Sequence, residues 1–208
     1  MLENNQPIDL ATLYEITRAL ASSDDLRKCL EESLTVLAER TRLGNGAVTI
    51  ANPLTGQIET EVAPGMTAEA RKRGIYKFGE GITGRVVASG SPIVVPQISQ
   101  EPLFLNKTRA RAEKNQEALS FLCVPIKHGA TTIGALSVDR NYQEGIDFEK
   151  DLQFLTVLSG LIAQTVVRIQ AVNQERERLV QENTQLRREL SEKYRVASIV
   201  SNSNRMQE

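Results

Sequence analysis

Three groups of residues carry side chains or backbone patterns that could do chemistry. The run Gly79-Glu80-Gly81-Ile82-Thr83-Gly84 matches G-x-G-x-x-G, the pattern that cradles a dinucleotide pyrophosphate. That role needs a hydrophobic strand before it, a full helix after it and an acidic residue about 20 positions on. Here the helical stretch that follows, Ile82 to Ser89, is short, and the next strand leads into a loop. Two readings remain: glycines that make a tight lead-in to a short helix, or helix-start N–H groups that receive a carboxylate or phosphate. The second group is Cys123, His128 and Asp139, whose spacing matches no standard metal pattern. His128 falls in a predicted turn and Cys123 in an apolar strand, so no metal site is expected. With a single His so placed, no Ser-His-Asp or Cys-His pairing can be assembled. No catalytic residue is assigned, and the chain is not expected to be an enzyme. The third group is Lys107, Arg109, Arg111 and Lys114, either a solvated loop or a basic segment that closes over an anionic ligand.

The elements that must position these groups follow from period and punctuation. Residues 1–7 are polar and expected to be disordered. Ile8, Leu10, Leu13, Ile16 and Leu20 predict a first helix, and Ser23 or Asp24 caps a second with Leu26, Cys29, Leu30, Leu34 and Leu37 on one face. Leu43-Gly44-Asn45-Gly46 ends it. Ala47–Ala51 and Gln57–Ala63 then read as strands flanking the turn Asn52-Pro53-Leu54-Thr55-Gly56. A short helix over Thr67–Arg73, a strand over Tyr76–Phe78, the Ile82–Ser89 helix and a strand over Ile93–Val95 follow. Residues 96–118 have no clear period, and a loop of that length inside a compact domain is functional or mobile. Leu119–Ile126 and Thr132–Asp139 pair across Lys127–Thr131. The expected fold class is α+β, an antiparallel sheet with helices packed on one face.

The last long stretch, Asp147 to Tyr194, reads as one helix. Asp147 is a good N-cap, Glu149 and Asp151 place negative charge in the first turn, and Gly160 is the only glycine inside. At 1.5 Å per residue it would be about 70 Å long, more than one domain core needs. Counting heptads from Leu155, the a and d positions are Leu155, Leu158, Ile162, Thr165, Ile169, Val172, Arg176, Leu179, Asn183, Leu186 and Leu190. The register never slips, which predicts a coiled-coil seam and a homodimer. Asn183 at an a position favours a parallel pair, Glu182 and Arg187 can meet across it, and Arg176 weakens it. The seam is drawn through Leu158, Ile162, Ile169, Val172, Leu179, Asn183, Leu186 and Leu190.

Composition bounds the partners. The 208 residues carry 25 basic and 26 acidic side chains, a balance of −1, so charge gives no argument for nucleic acid or an anionic membrane. Cys29 and Cys123 suit a reduced interior. The reading finds neither a signal peptide nor an apolar run of spanning length, and a cytoplasmic protein is expected.

Several runs then resemble a known family. Gly79–Val87, Pro92-Ile93-Val94-Val95, Leu122-Cys123-Val124-Pro125-Ile126 and Ile133-Gly134-Ala135-Leu136-Ser137-Val138 are similar to those of GAF domains. Phe154–Val166 and Leu186–Tyr194 resemble the NifA-like activators of nitrogen fixation among the sigma-54-dependent enhancer-binding proteins. Ile199-Val200-Ser201-Asn202-Ser203 resembles the start of their AAA+ ATPase domain. The resemblance implies a GAF sensory domain over 8–172, a coiled-coil linker over 173–195 and the start of an AAA+ domain over 196–208. The chain holds no Walker A sequence and no helix-turn-helix pattern, so ATP hydrolysis and DNA contact are expected of other segments. In such relatives the domain is implied to sense nitrogen or carbon status, in some through 2-oxoglutarate and an anti-activator of NifL type. The ligand is then expected between the sheet and the 96–118 loop, with Leu103 and Phe104 closing over it. Gly81, Arg85, Phe104, Lys107, Arg109 and Phe121 are the candidate contacts for a small anion. The alternative is a structural dimerisation module with an empty pocket.

Overall fold

The computed structural model describes residues 10–108 and 118–204, with side chains to residue 190. The expectations for residues 1–7, for Arg109, Arg111 and Lys114, and for the last residues of 196–208 lie outside the described residues. The chain divides into two units, Met1–Val167 and Arg168–Glu208.

The first unit is built on six antiparallel strands: β1 (Leu43–Asn52), β2 (Gln57–Val62), β3 (Ile75–Lys77), β4 (Ile93–Val95), β5 (Leu119–His128) and β6 (Thr131–Asn141). Their order across the sheet is β3-β2-β1-β6-β5-β4. Helices α1 (Leu10–Leu20) and α2 (Leu26–Arg40) precede them, and α3 (Ala68–Arg73) and α4 (Gly81–Ser89) lie between strands. The helix α5 (Glu149–Asn204) closes the chain. The fold is α+β, as the period changes along the sequence require.

Alternation along the central strands decides where the core sits. Phe121 and Cys123 of β5 and Ala135 of β6 pack with Ile82, Val86 and Val87 of α4. The intervening Leu122, Val124, Leu136 and Val138 are equally buried, so the sheet is covered on both faces. This corrects the expectation of helices on one face. The near-continuous apolar runs of β5 and β6 are the signature of that double burial. Helix α2 contributes Leu30, Leu34 and Leu37, with the Leu34 side chain against Gly46 of β1.

Four local expectations are corrected. The N-cap of α2 is Asp25, whose Oδ1 accepts from the Arg27 and Lys28 N–H groups at 2.9 and 3.2 Å. Leu43–Gly46 begins β1 instead of ending a helix. Leu43 pairs with Arg140 and Gly44 with Asp139, and a bulge follows in which Asn45 takes φ 46°. A Gly-Asn-Gly sequence reads as a turn, but a bulge needs the same residues. The β5–β6 turn is only Gly129-Ala130, with Gly129 at φ 58°. Helix α5 begins at Glu149, whose N–H bonds Asp147 Oδ1 at 2.8 Å, and it continues past Tyr194 to Asn204.

An 18-residue window of α5 reaches a mean hydropathy of 1.5, enough to cross a bilayer by length and composition. The expectation of no such run is corrected. Of that window 44% is buried in the structure, and Leu155, Leu158, Ile162 and Val166 are core residues. A helix of a globular core meets the same test.

The first turn of α5 is tied to the sheet by a buried ion cluster. Asp151, fully buried, accepts from Arg140 Nη1 of β6 and lies 3.4 Å from Arg42 Nη2. Arg140 also donates to the Asp147 carbonyl at 3.3 Å and sits 5.6 Å from the Phe148 ring centroid. Burial pulls the Arg140 guanidinium below its usual value, with Asp151 opposing the shift.

The second unit is helical and its described side chains are mostly exposed. Val172, Leu179, Val180, Leu186 and Leu190 are about half exposed. Exposed Glu175–Arg178 and Arg178–Glu182 pairs run along it. Leu158, Ile162 and Ile169, drawn into the seam by heptad counting, are buried in the chain itself and present no surface to a second copy. Over these turns a heptad seam and an ordinary core face select the same positions.

Removing one partner of a buried ion pair strands the other charge. Asp151→Ala should therefore cost about 3–5 kcal/mol, whereas Glu175→Ala on the exposed helix should stay within about 0.5 kcal/mol. Urea denaturation of both variants checks the contrast.

Candidate functional site

The three motif glycines lead into α4, whose first-turn residues Ile82 and Thr83 line a small cavity. Gly79 and Gly81 have φ 81° and 61°, conformations that glycine adopts without strain. A Cβ on Gly84 would collide with the Lys77 carbonyl, and the Gly79 N–H donates to the Gly84 carbonyl at 2.9 Å. The motif is a tight lead-in to α4. Glu80 occupies the N-cap position of α4 but makes no side-chain cap bond. Its carboxylate instead accepts from the Lys77 N–H at 2.8 Å and pairs with Lys107 Nζ at 2.6 Å.

Behind α4, the sheet presents polar side chains among apolar ones. Asn45, Ala47 and Thr49 of β1, Thr60 of β2, Tyr76 of β3, Phe121 of β5 and Ser137 of β6 line the cavity. Ile82 and Thr83 come from the first turn of α4, and Phe104, Leu105, Asn106 and Thr108 cover it. Every described side chain in this lining is uncharged. Thr49 donates to the Ala135 carbonyl at 3.2 Å, Thr60 to the Gly74 carbonyl at 2.9 Å, and Asn45 Nδ2 to Asp139 Oδ2 at 2.9 Å. Thr83 and Ser137 are 8% and 6% exposed, and among the described residues their hydroxyls bond no other group.

The volume sets what the cavity can hold. The cavity measures about 50 Å³, room for one or two waters, while small-molecule sites hold about 300–1,000 Å³. The cover is pinned at three places. Phe104 meets Phe121 edge-to-face with centroids 5.1 Å apart. Arg73 Nη2 donates to the Thr108 carbonyl at 3.2 Å. Lys107 Nζ reaches Glu80, donates to the Ile75 carbonyl at 2.8 Å and lies 5.0 Å from the Tyr76 centroid.

Of the residues expected to contact a ligand, Phe104 and Phe121 line the cavity. Gly81 is buried beneath the cover, against the Leu105 side chain, and Leu105 takes the lining position expected of Leu103. Lys107 lies on the outer side of the cover, engaged with Glu80. Arg85 is exposed on α4 and does not reach the cavity, because the residue after Gly84 points away from the wall that Ile82 and Thr83 form. The missed residues are Asn45, Thr49, Thr60, Thr83 and Ser137. For the four on strands the signal was hydroxyl and amide residues on one alternating face, while Thr83 lies in the first turn of α4.

Cys123 is buried and pairs across the sheet with Ser137, while His128 is exposed at the strand end. Five residue steps of strand separate them by about 17 Å at ~3.4 Å per step. Among the described residues no three His, Cys, Asp or Glu side chains group as metal ligands. A groove of about 680 Å³ beside α1 and α2 is larger than the cavity, and Glu15, Arg18, Lys28 and Glu32 line it together with Ala19, Ser22, Thr35 and Val36.

The GAF domain family model matches residues 25–166. The Nif-specific regulatory protein of Herbaspirillum seropedicae is 37% identical over 202 residues, covering 97% of this chain and 37% of the relative. The nitrogen fixation protein VnfA of Azotobacter vinelandii is 36% identical over 200 residues, covering 96% of this chain and 38% of the relative. The chain thus spans little more than a third of the length of these curated relatives. In three dimensions it is similar to the A. aeolicus nlh2 GAF domain in an inactive state, with a TM-score of 0.64 at 23% identity, over 76% of this chain and 94% of that one. That last likeness concerns the fold.

The hydrogen bond from Lys107, joined by the Lys77 N–H, holds the Glu80 carboxyl below its usual range. A lowered folded value means that the pair contributes stability above the unfolded value of about 4.3, lost as pH falls through the folded value. Carboxyl NMR should find Glu80 titrating below ~4.3, and Lys107→Met should move it upward.

Proposed function

The chain belongs to the GAF domain family, and from that premise we propose that it is the ligand-responsive regulatory domain of a nitrogen-fixation transcriptional activator. Its similarity to Nif-specific and Vnf regulatory proteins along almost its whole length supports the assignment. In this reading it works in the cytoplasm and controls a downstream AAA+ ATPase that acts on sigma-54 polymerase. An anti-activator of NifL type is a candidate partner. The chain's own role is binding and transmission, without chemistry.

The observation that carries the mechanism is the continuity of α5. Leu155, Leu158, Ile162 and Val166 belong to the core, and the same helix runs unbroken to Asn204. A rigid helix cannot shift in the core without carrying its remaining turns along. Beyond the core it offers a stripe of Val172, Leu179, Asn183, Leu186 and Leu190. A second copy of the chain is the proposed occupant of this stripe, with Glu182 meeting Arg187 of the partner helix at its edge. Ligand occupancy would bias this pairing and with it the assembly of the ATPase.

The proposed effector is a small anion, with 2-oxoglutarate the first compound to test. The first-turn N–H groups of α4 would receive one carboxylate, and the hydroxyls of Thr83 and Ser137 would add neutral contacts. Lys107, engaged with Glu80 at the edge of the cover, would supply a charge-assisted contact of roughly 1.5–3 kcal/mol. The cover must move to admit the compound. A second reading draws on the 50 Å³ volume: a structural dimerisation module whose pocket stays closed.

Titration calorimetry separates the two. Heat with 2-oxoglutarate is expected for the wild type, weaker binding for Thr83→Val, and unchanged affinity for Arg85→Ala. No heat at millimolar ligand removes this compound. Sedimentation velocity tests the stripe: Leu179→Lys with Leu186→Lys should convert a dimer into a monomer, and a double variant that stays dimeric removes the seam.

A further inference from the structure

The cavity is too small for a metabolite, and its walls differ in how firmly they are held. Strands β1, β2, β5 and β6 are locked into ladders. Helix α4 is anchored by the buried Val86 and Val87 and by the close Gly84 contact with the Lys77 carbonyl. The cover, residues 103–108, contains no helix or strand. It is the wall that can yield.

Its three pins are unequal. The Phe104–Phe121 contact is apolar, and the bond from Arg73 to the Thr108 carbonyl secures one end of the segment. Lys107 joins the cover to three separate places: Glu80 at the start of α4, the Ile75 carbonyl of β3 and the ring of Tyr76 in the cavity lining. The Lys107 and Glu80 side chains are 28% and 34% exposed. Parting them returns both charges to water and strands neither, unlike the buried Arg140–Asp151 pair. Glu80 leaves the α4 amides uncapped, so its carboxylate is committed to holding Lys107 and the β3 turn.

Resting on the reading of the cavity as a ligand site, we propose that Lys107 is the latch of the cover, and that its release from Glu80 opens the closed cavity to a ligand. The amides of the cover and of the α4 first turn would then exchange through a local opening that leaves the sheet intact.

Hydrogen–deuterium exchange on the whole chain tests this without any ligand. In Lys107→Met and in Glu80→Gln, peptides spanning 79–84 and 101–108 should exchange roughly fivefold faster, as expected for a lost exposed pair and ring contact. Those of β5 and β6 should keep the wild-type rate. Raising NaCl from about 0.05 to about 0.5 M should speed the same peptides in the wild type, because the pair is screened, and leave both variants unchanged. Wild-type protection in both variants overturns the latch. So does a loss of protection that spreads equally into β5 and β6, which marks a structural role. If 2-oxoglutarate gives no heat while exchange behaves as expected, the effector is discarded and the latch stands.

Discussion

Everything in the first unit hangs from one carboxylate. Asp151 is fully buried and answers two guanidiniums, Arg140 at the end of β6 and Arg42 just before β1. Those two strands are the centre of the sheet, and Asp151 stands in the first turn of the last helix. The cluster therefore fixes where the helix starts and how it is rotated, and apolar packing at Leu155 and Leu158 follows from that. Hydrophobic contact alone is tolerant of a small slide, whereas a desolvated ion pair is not. The cluster gives the start of the helix a defined resting position.

The opposite face of the sheet follows another logic. Its side chains are small and hydroxyl-bearing, and most have their hydrogen bonds met by nearby carbonyls, as in Thr49 and Thr60. Such a surface can be left nearly dry without the large cost that an unpaired charge would bring. The described lining residues carry no ionic group, and the Glu80–Lys107 pair stands outside the lining, where α4 begins.

How much of this was legible depends on whether the signal was local. The α3 helix, with Thr67 as its cap, and β4 at Ile93–Val95 follow from residues adjacent in sequence. The glycine motif was readable as a turn because no βαβ context surrounded it. The bulge at Asn45 was not, since its glycines are needed only to meet the partner strand β6. Phe104 and Phe121 were found as large apolar residues of a covering loop and a strand. Arg85 was overvalued because sequence nearness to Gly81 says nothing of which side of a short helix a side chain takes. The heptad count drew the whole apolar face, from Leu158 to Leu190, into one seam. Burial divides it, with Leu158 and Ile162 inside and Leu179 and Leu186 at the surface.

The two outer strands of the sheet, β3 and β4, are each three residues long. One ends in Lys77, and the other is bracketed by Pro92 and Pro96. Short, charged and proline-flanked margins give a neighbouring chain little unpaired backbone to add to. The sheet is thus guarded against edge-to-edge growth and the fibrous aggregation that follows from it.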